Sequence, residues 1–212
     1  MDLQEALTQI SAIRRQMARS EQFRGYRAVP AAISALLAFA AGALQATLIA
    51  EPMAHLGQFI ALWMAVAAVS LAIGTGHVWL RDRRTARGDR RSAGLLHRET
   101  TQLAVGQFFP CLVAGGLLTV VVARSVPQVA WMLPGLWAIL FSMGLFASWR
   151  LLPSGILAVA IYFLASGLCA LAWNGGQNAF SPWTMPLLFG IGQSLTAVVL
   201  LLSERKGAGG RV

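Results

Sequence analysis

Residues 61–91 read ALWMAVAAVSLAIGTGHVWLRDRRTARGDRR: twenty positions without one charged side chain, then eleven positions carrying six arginines. Twenty apolar residues in a helix reach about 30 Å, the thickness of a bilayer's hydrocarbon core. The abrupt change to arginine at Arg81 marks where such a helix leaves the lipid. Arginine clusters next to a span are held on the cytoplasmic side, so this stretch also proposes an orientation.

Working outward, the same alternation recurs along the chain. Six apolar stretches lie at about 28–50, 57–80, 103–123, 129–149, 152–173 and 184–202. The connections between them carry positive charge by turns. Arg14, Arg15, Arg19, Arg24 and Arg27 precede the first stretch, Arg81 to Arg98 follow the second, Arg150 follows the fourth, and Arg205, Lys206 and Arg211 follow the sixth. Sixteen of the seventeen Lys and Arg residues thus fall on one side, and Arg124 alone stands opposite. Both termini are expected in the cytoplasm. Tyr26, Trp79 and Trp149 mark the inner boundaries and Trp131, Trp173 and Trp183 the outer ones, as an interfacial aromatic belt requires.

The predicted fold class is all-α: a polytopic transmembrane bundle of six helices preceded by an amphipathic cytoplasmic or interfacial helix. Residues 1–27 form the cytoplasmic helix, 28–203 the six-helix domain and 204–212 a cytoplasmic tail. Within residues 2–24, Leu3, Leu7, Ile10 and Met17 recur at three- and four-residue steps, the spacing of one helical face. Such a helix lies in the headgroup plane or packs on a partner helix. The first apolar stretch begins near residue 28 and runs for about 22 residues, longer than the roughly 7–15 of a secretory signal's apolar region. Cleavage there, for instance after Ala38-Phe39-Ala40, would invert the N-terminus and spoil the charge partition.

Composition agrees. The chain of 212 residues is 57% hydrophobic and 12% charged, with a net charge of +9; soluble domains carry about 25% charged residues. The basic excess sits where topology places it, so anionic lipid is the expected partner and nucleic acid is not. Two connections stand out by length. Residues 81–102, RDRRTARGDRRSAGLLHRETTQ, form the long internal loop, broken by Gly88 and Gly94. Residues 174–183, NGGQNAFSPW, form a turn-rich external loop.

Small residues four apart mark candidate packing faces: Ala38/Gly42, Ala72/Gly76, Cys111/Gly115, Gly144/Ser148, Ser166/Ala170 and Gly190/Ser194. In lipid, close approach over small faces supplies the helix packing. Cys111 and Cys169 read as small packing residues. No Asp, Glu, Lys or Arg lies inside a span, which argues against proton-coupled antiport. Intramembrane polarity is limited to residues such as Gln45, Thr119, Ser142 and Tyr162, each expected to bond locally or to a neighbouring helix. Trp137, deep in the fourth stretch, is expected to pack.

Chemistry is sparse. His55 falls on one face and His77 and His97 on the other, so no metal site is expected. Ser154-Gly155 lacks the turn of a serine nucleophile, and neither GxxxxGK[ST] nor GxGxxG occurs. No cofactor is expected. Spans three and six share a proline followed by small residues, FFPCLVAGG and TMPLLFGIG, a faint trace of an inverted repeat.

The stretches FRGYRA (23–28), QFFPCLVAGGLL (107–118), LPGLW (133–137), FSMGLFASWRLLP (141–153) and SPWTMPLLFGIGQ (181–193) resemble a group of small six-span bacterial integral membrane proteins. That group has no assigned activity; the resemblance implies an inner-membrane setting and no catalytic residue. In layout the chain is also similar to the substrate-binding subunits of energy-coupling vitamin transporters, with Ala28, Ala31, Ala32 and Ala35 as a docking face. The permease half of some ATP-driven exporters has a similar outline.

The leading expectation is a non-enzymatic membrane subunit with a basic cytoplasmic face. Arg14, Arg15, Arg19, Arg81, Arg83, Arg84, Arg87, Arg90 and Arg91 are its candidate contacts to anionic lipid, a protein partner or a second copy. The alternatives are a permease subunit, its cavity lined from spans three, five and six and open near 174–183, and a lipid-modifying enzyme.

Overall fold

The computed structural model describes residues 28–49, 51–85, 91–173 and 176–209. It is all-α, with no strand among the described residues. Among the described residues there are six α-helices: α1 Ala28–Leu48, α2 Leu56–Thr85, α3 Arg91–Ser125, α4 Leu133–Ser148, α5 Ile156–Trp173 and α6 Ile191–Gly209. Six segments are long and apolar enough to cross a bilayer. Inside lipid every backbone N–H and C=O must bond within its own segment, so apolar stretches of this length have no alternative to helix.

Chain neighbours are spatial neighbours. Each helix packs on the next, from α1 on α2 to α5 on α6, and α6 returns to pack on α1. The bundle is therefore a closed ring in sequence order. Its outward surface carries exposed Leu36, Leu48, Phe109, Leu117, Trp173 and Leu202, an apolar belt far larger than the few hundred Å² a soluble monomer leaves uncovered. That belt is the lipid-facing surface of a multi-pass membrane protein.

Aromatic rings fill the middle of the ring. Towards one end Phe108, Phe141, Phe163 and Phe189 meet in sequence, edge-on or tilted, with centroid separations of 4.9 Å, 4.7 Å and 5.5 Å. Towards the other end Phe59 meets the edge of Phe180 at 4.8 Å and stacks beside Trp137. Phe59, Phe163 and Phe180 are fully buried. Edge-to-face pairs like these add about 0.5–1.5 kcal/mol each beyond simple contact.

Three connections differ from the sequence reading. Residues 81–102 are for the most part helix: α2 runs through Arg81, Arg83 and Arg84 to Thr85, and α3 starts at Arg91 and passes through Gly94 without a break. Arginine is a good helix former, and outside the lipid its charge is no obstacle. From Arg91 to Gly106, where the apolar segment of α3 begins, the helix runs about 22 Å. Gly88 lies outside the described residues.

The fourth span begins not as α-helix but as a 3-10 turn, Pro127–Met132, before α4. The external segment folds inward as a second 3-10 turn, Gly176–Phe180, entered through Gly176 at φ +67°. A left-handed backbone of that kind is open to glycine at little cost.

The two prolines suspected of a repeat are handled differently. Pro110 sits inside the continuous α3, where it removes one backbone donor. Pro186 opens a π-helical turn, Pro186–Gly190, that leads into α6. In π geometry the hydrogen bonding loosens locally, and the Tyr162 hydroxyl from α5 donates to the Leu187 carbonyl there. Tyr162→Phe should cost about 1 kcal/mol, within the range of interhelical hydrogen bonds in membranes. Thermal unfolding in detergent would show it; an unchanged midpoint would mean that the carbonyl needs no partner.

Candidate interaction site

Arginine placement decides what the basic end can present. Arg81, Arg83 and Arg84 occupy the last turn and a half of α2, and Arg91 is the first residue of α3. Two further cations join them at the same end of the ring. Arg150 is exposed in the 3-10 turn Trp149–Leu151, its guanidinium 5.8 Å from the centre of the Trp149 ring. Arg205 is exposed on α6. Arg14, Arg15 and Arg19, with the amphipathic stretch 2–24, lie outside the described residues, as do Arg87 and Arg90.

At the opposite end stand Arg124, Glu51 and His55, all exposed. Arg124 falls in the last turn of α3. There the carbonyl end of the helix favours a cation by roughly 0.3–1 kcal/mol, a local reason for the single exception to the charge partition.

Polar side chains inside the spans bond as expected. Thr119 donates to the Gly115 carbonyl at 2.7 Å and accepts the Trp137 indole N–H at 2.8 Å. Ser142 donates across to the Ala160 carbonyl at 2.9 Å, joining α4 to α5. Gln45 does most: it is fully buried, gives its amide N–H to the Phe180 carbonyl at 2.8 Å, and accepts the Trp63 indole N–H at 2.8 Å. One side chain therefore ties α1, α2 and the inward-folded external segment together. No buried side-chain N or O among the described residues lacks a partner.

The small-residue pairs divide. Ala38 is buried, and Gly42 faces the π turn, where a Cβ would overlap the Pro186 ring and lie 2.8 Å from the Pro182 carbonyl oxygen. Gly144 carries the Phe108 ring, and Ser148 beside it is buried. Gly190 takes the Phe39 ring, with Ser194 bonded back to the Gly190 carbonyl at 2.8 Å. Ala72 and Gly76 meet no other helix this way: Ala72 is exposed and a Cβ on Gly76 would touch nothing.

One close crossing was not among the expected pairs. A Cβ on Gly135 of α4 would lie 2.8 Å from the Gly167 carbonyl, and one on Gly167 of α5 would lie 2.9 Å from the Gly135 carbonyl. Cys169, expected to be a packing residue, is exposed on the lipid side, and Cys111 is half-buried. The spans named for a substrate space, three, five and six, are arranged as follows. Helix α4 stands between α3 and α5, Phe141 and Phe163 fill the interior, and Phe180 closes the external end.

A groove of about 290 Å³ opens on the outer surface between α1 and α6, lined by Ala32, Ala35, Leu36, Phe39, Ser194 and Ala197. Of the predicted docking face, Ala32 and Ala35 border this groove while Ala31 is buried behind it. No family model, curated protein or solved structure matches the chain.

Proposed function

We propose that this chain is a non-enzymatic integral subunit of a bacterial inner membrane, with both termini cytoplasmic, that binds a protein partner through its basic end. The observation that carries the reading is the concentration of arginine at one end of a six-span bundle. Orientation alone is set by the bias in short loops near the span ends. Here six arginines fall within eleven residues, 81–91, a denser cluster than an orientation bias requires, and Arg81, Arg83, Arg84 and Arg91 sit on the helical ends of α2 and α3 outside the apolar segments. The basic ends of α2 and α3 offer positive charge to an acidic partner. The interior supports the same reading, because rings and the inward-folded Gly176–Phe180 turn occupy the space a substrate would need.

Affinity purification from the native membrane tests this. The full chain should retain a stoichiometric partner. Replacing Arg81, Arg83, Arg84 and Arg91 with Gln should cut its recovery at least about tenfold, equivalent to about 1.4 kcal/mol. Removal of residues 2–24 should weaken it further. Cysteine labelling from the periplasmic side should modify a cysteine placed at Glu51 and spare one placed at Arg205. Labelling at Arg205 alone would reverse the orientation, and partner recovery unaffected by the arginine replacements would end the docking reading.

A further inference from the structure

The groove between α1 and α6 and the cation beyond its end form a unit. On α6, Ser194 lines the groove. At 100° per residue, Leu201 and Arg205 fall within about 20° of the same line along the helix, and Arg205 lies about 16 Å beyond Ser194. Leu201 is exposed at 41% and Arg205 is exposed as well. On α1, which runs antiparallel, the groove ends near Ala32, one turn from the start of the helix at Ala28. The slot therefore opens towards the end of the bundle where α1 begins and α6 ends, and Arg205 lies beyond it on the same side of α6, about 12 Å past Ala197, the last α6 residue of the lining.

From these placements we infer that the slot seats one acyl chain of an anionic phospholipid whose phosphate is held by Arg205. The lining is almost wholly apolar, and the Ser194 hydroxyl already donates to the Gly190 carbonyl. Nothing in it recruits a polar ligand. Lipid chains bathe this surface, and a chain lying in the slot gains contacts on several sides that an empty groove forfeits. An anionic headgroup matches the charge beyond the slot. The inference rests on the membrane-spanning reading and on both termini sharing one side; it does not need the protein partner or either orientation.

Native mass spectrometry of the full chain released from neutral detergent tests it, with phosphatidylglycerol and phosphatidylcholine of equal chain length as probes. The wild type should retain one phosphatidylglycerol at least about tenfold more tightly than phosphatidylcholine. Arg205→Gln should remove that preference while leaving weak binding of both. Ala32→Trp, which fills the slot from an exposed position, should abolish the single-lipid complex. Glycerol 3-phosphate, a headgroup without chains, should not compete at lipid-saturating concentrations.

Phosphatidylglycerol carrying a photoreactive group midway along its chain provides a readout that needs no variant, and should label residues 32–39 or 194–201. Equal retention of the two lipids, unchanged selectivity in Arg205→Gln, or labelling confined to other helices would overturn the inference. The Arg81, Arg83, Arg84 and Arg91 replacements should leave this lipid bound, so loss of the protein partner and loss of the lipid are separate results.

Discussion

Gly42→Leu should prevent the bundle from closing. A single Cβ at this position already overlaps the Pro186 ring and presses on the Pro182 carbonyl, and neither obstacle is the free end of a flexible side chain. Pro186 is fully buried at the head of the π turn, and α1 is held on that turn and on α6. Leucine can be admitted only if α1 moves away from both. Overpacking of a tight core costs about 1–3 kcal/mol, occasionally more, and a rigid neighbour on one side with backbone on the other puts this site at the upper end. The detergent-solubilised variant should lose most of its monodisperse fraction in gel filtration and unfold at lower temperature. Gly76→Leu serves as the control, because nothing lies within reach of its Cβ; it should stay within about 0.5 kcal/mol of wild type. Equal behaviour of the two variants would show that the α1 contact does not hold the fold.

Gln45→Leu has the second largest expected effect, and its cause is electrostatic rather than steric. The substitution leaves the Trp63 indole N–H and the Phe180 carbonyl without their partner in a dry interior. Each buried orphan costs about 1–3 kcal/mol, although measured interhelical hydrogen bonds in membranes average nearer 0.6 kcal/mol. With two groups stranded together, a loss of about 2 kcal/mol is expected in thermal or denaturant unfolding. A double-mutant cycle isolates the cause. Trp63→Phe should cost much less in the Gln45→Leu background than in the wild type, with a coupling of at least about 1 kcal/mol. Strict additivity would show that the two side chains do not depend on each other.

The six spans were legible because the bilayer imposes length and apolarity on every crossing segment, and no tertiary detail changes that. Faces were less legible. Four-residue spacing of small residues marks where a helix can be approached, not whether another helix is there, so Ala38/Gly42 and Ala72/Gly76 look alike in sequence and differ in the fold. Gly135 and Gly167 carried no such mark. Their neighbours four residues on are Ile139 and Leu171, and the close approach is made by one glycine from each of two helices. The basic stretch 81–102 looked like a loop because charge is the signal for leaving lipid; it says nothing about whether the backbone uncoils once outside. Phe180 was hidden for a related reason, since a turn-rich segment between two spans gives no hint that one of its rings folds back into the bundle. The groove between α1 and α6 joins residues more than 150 positions apart, which no local pattern reports.

The bond between Gln45 and the Phe180 carbonyl spans 135 positions of chain. Ribosomes add about 5–20 residues each second, so α1 spends roughly 7–27 s in the membrane before that acceptor has been made. Trp63 arrives only 18 positions after Gln45 and engages the amide oxygen early, but the amide N–H must wait. During that interval the nascent first helix carries an unpaired donor and the uncovered seam meant for α6. Biosynthesis therefore has a window in which α1 is open to wrong neighbours, and the last helix to emerge is the one that shuts it.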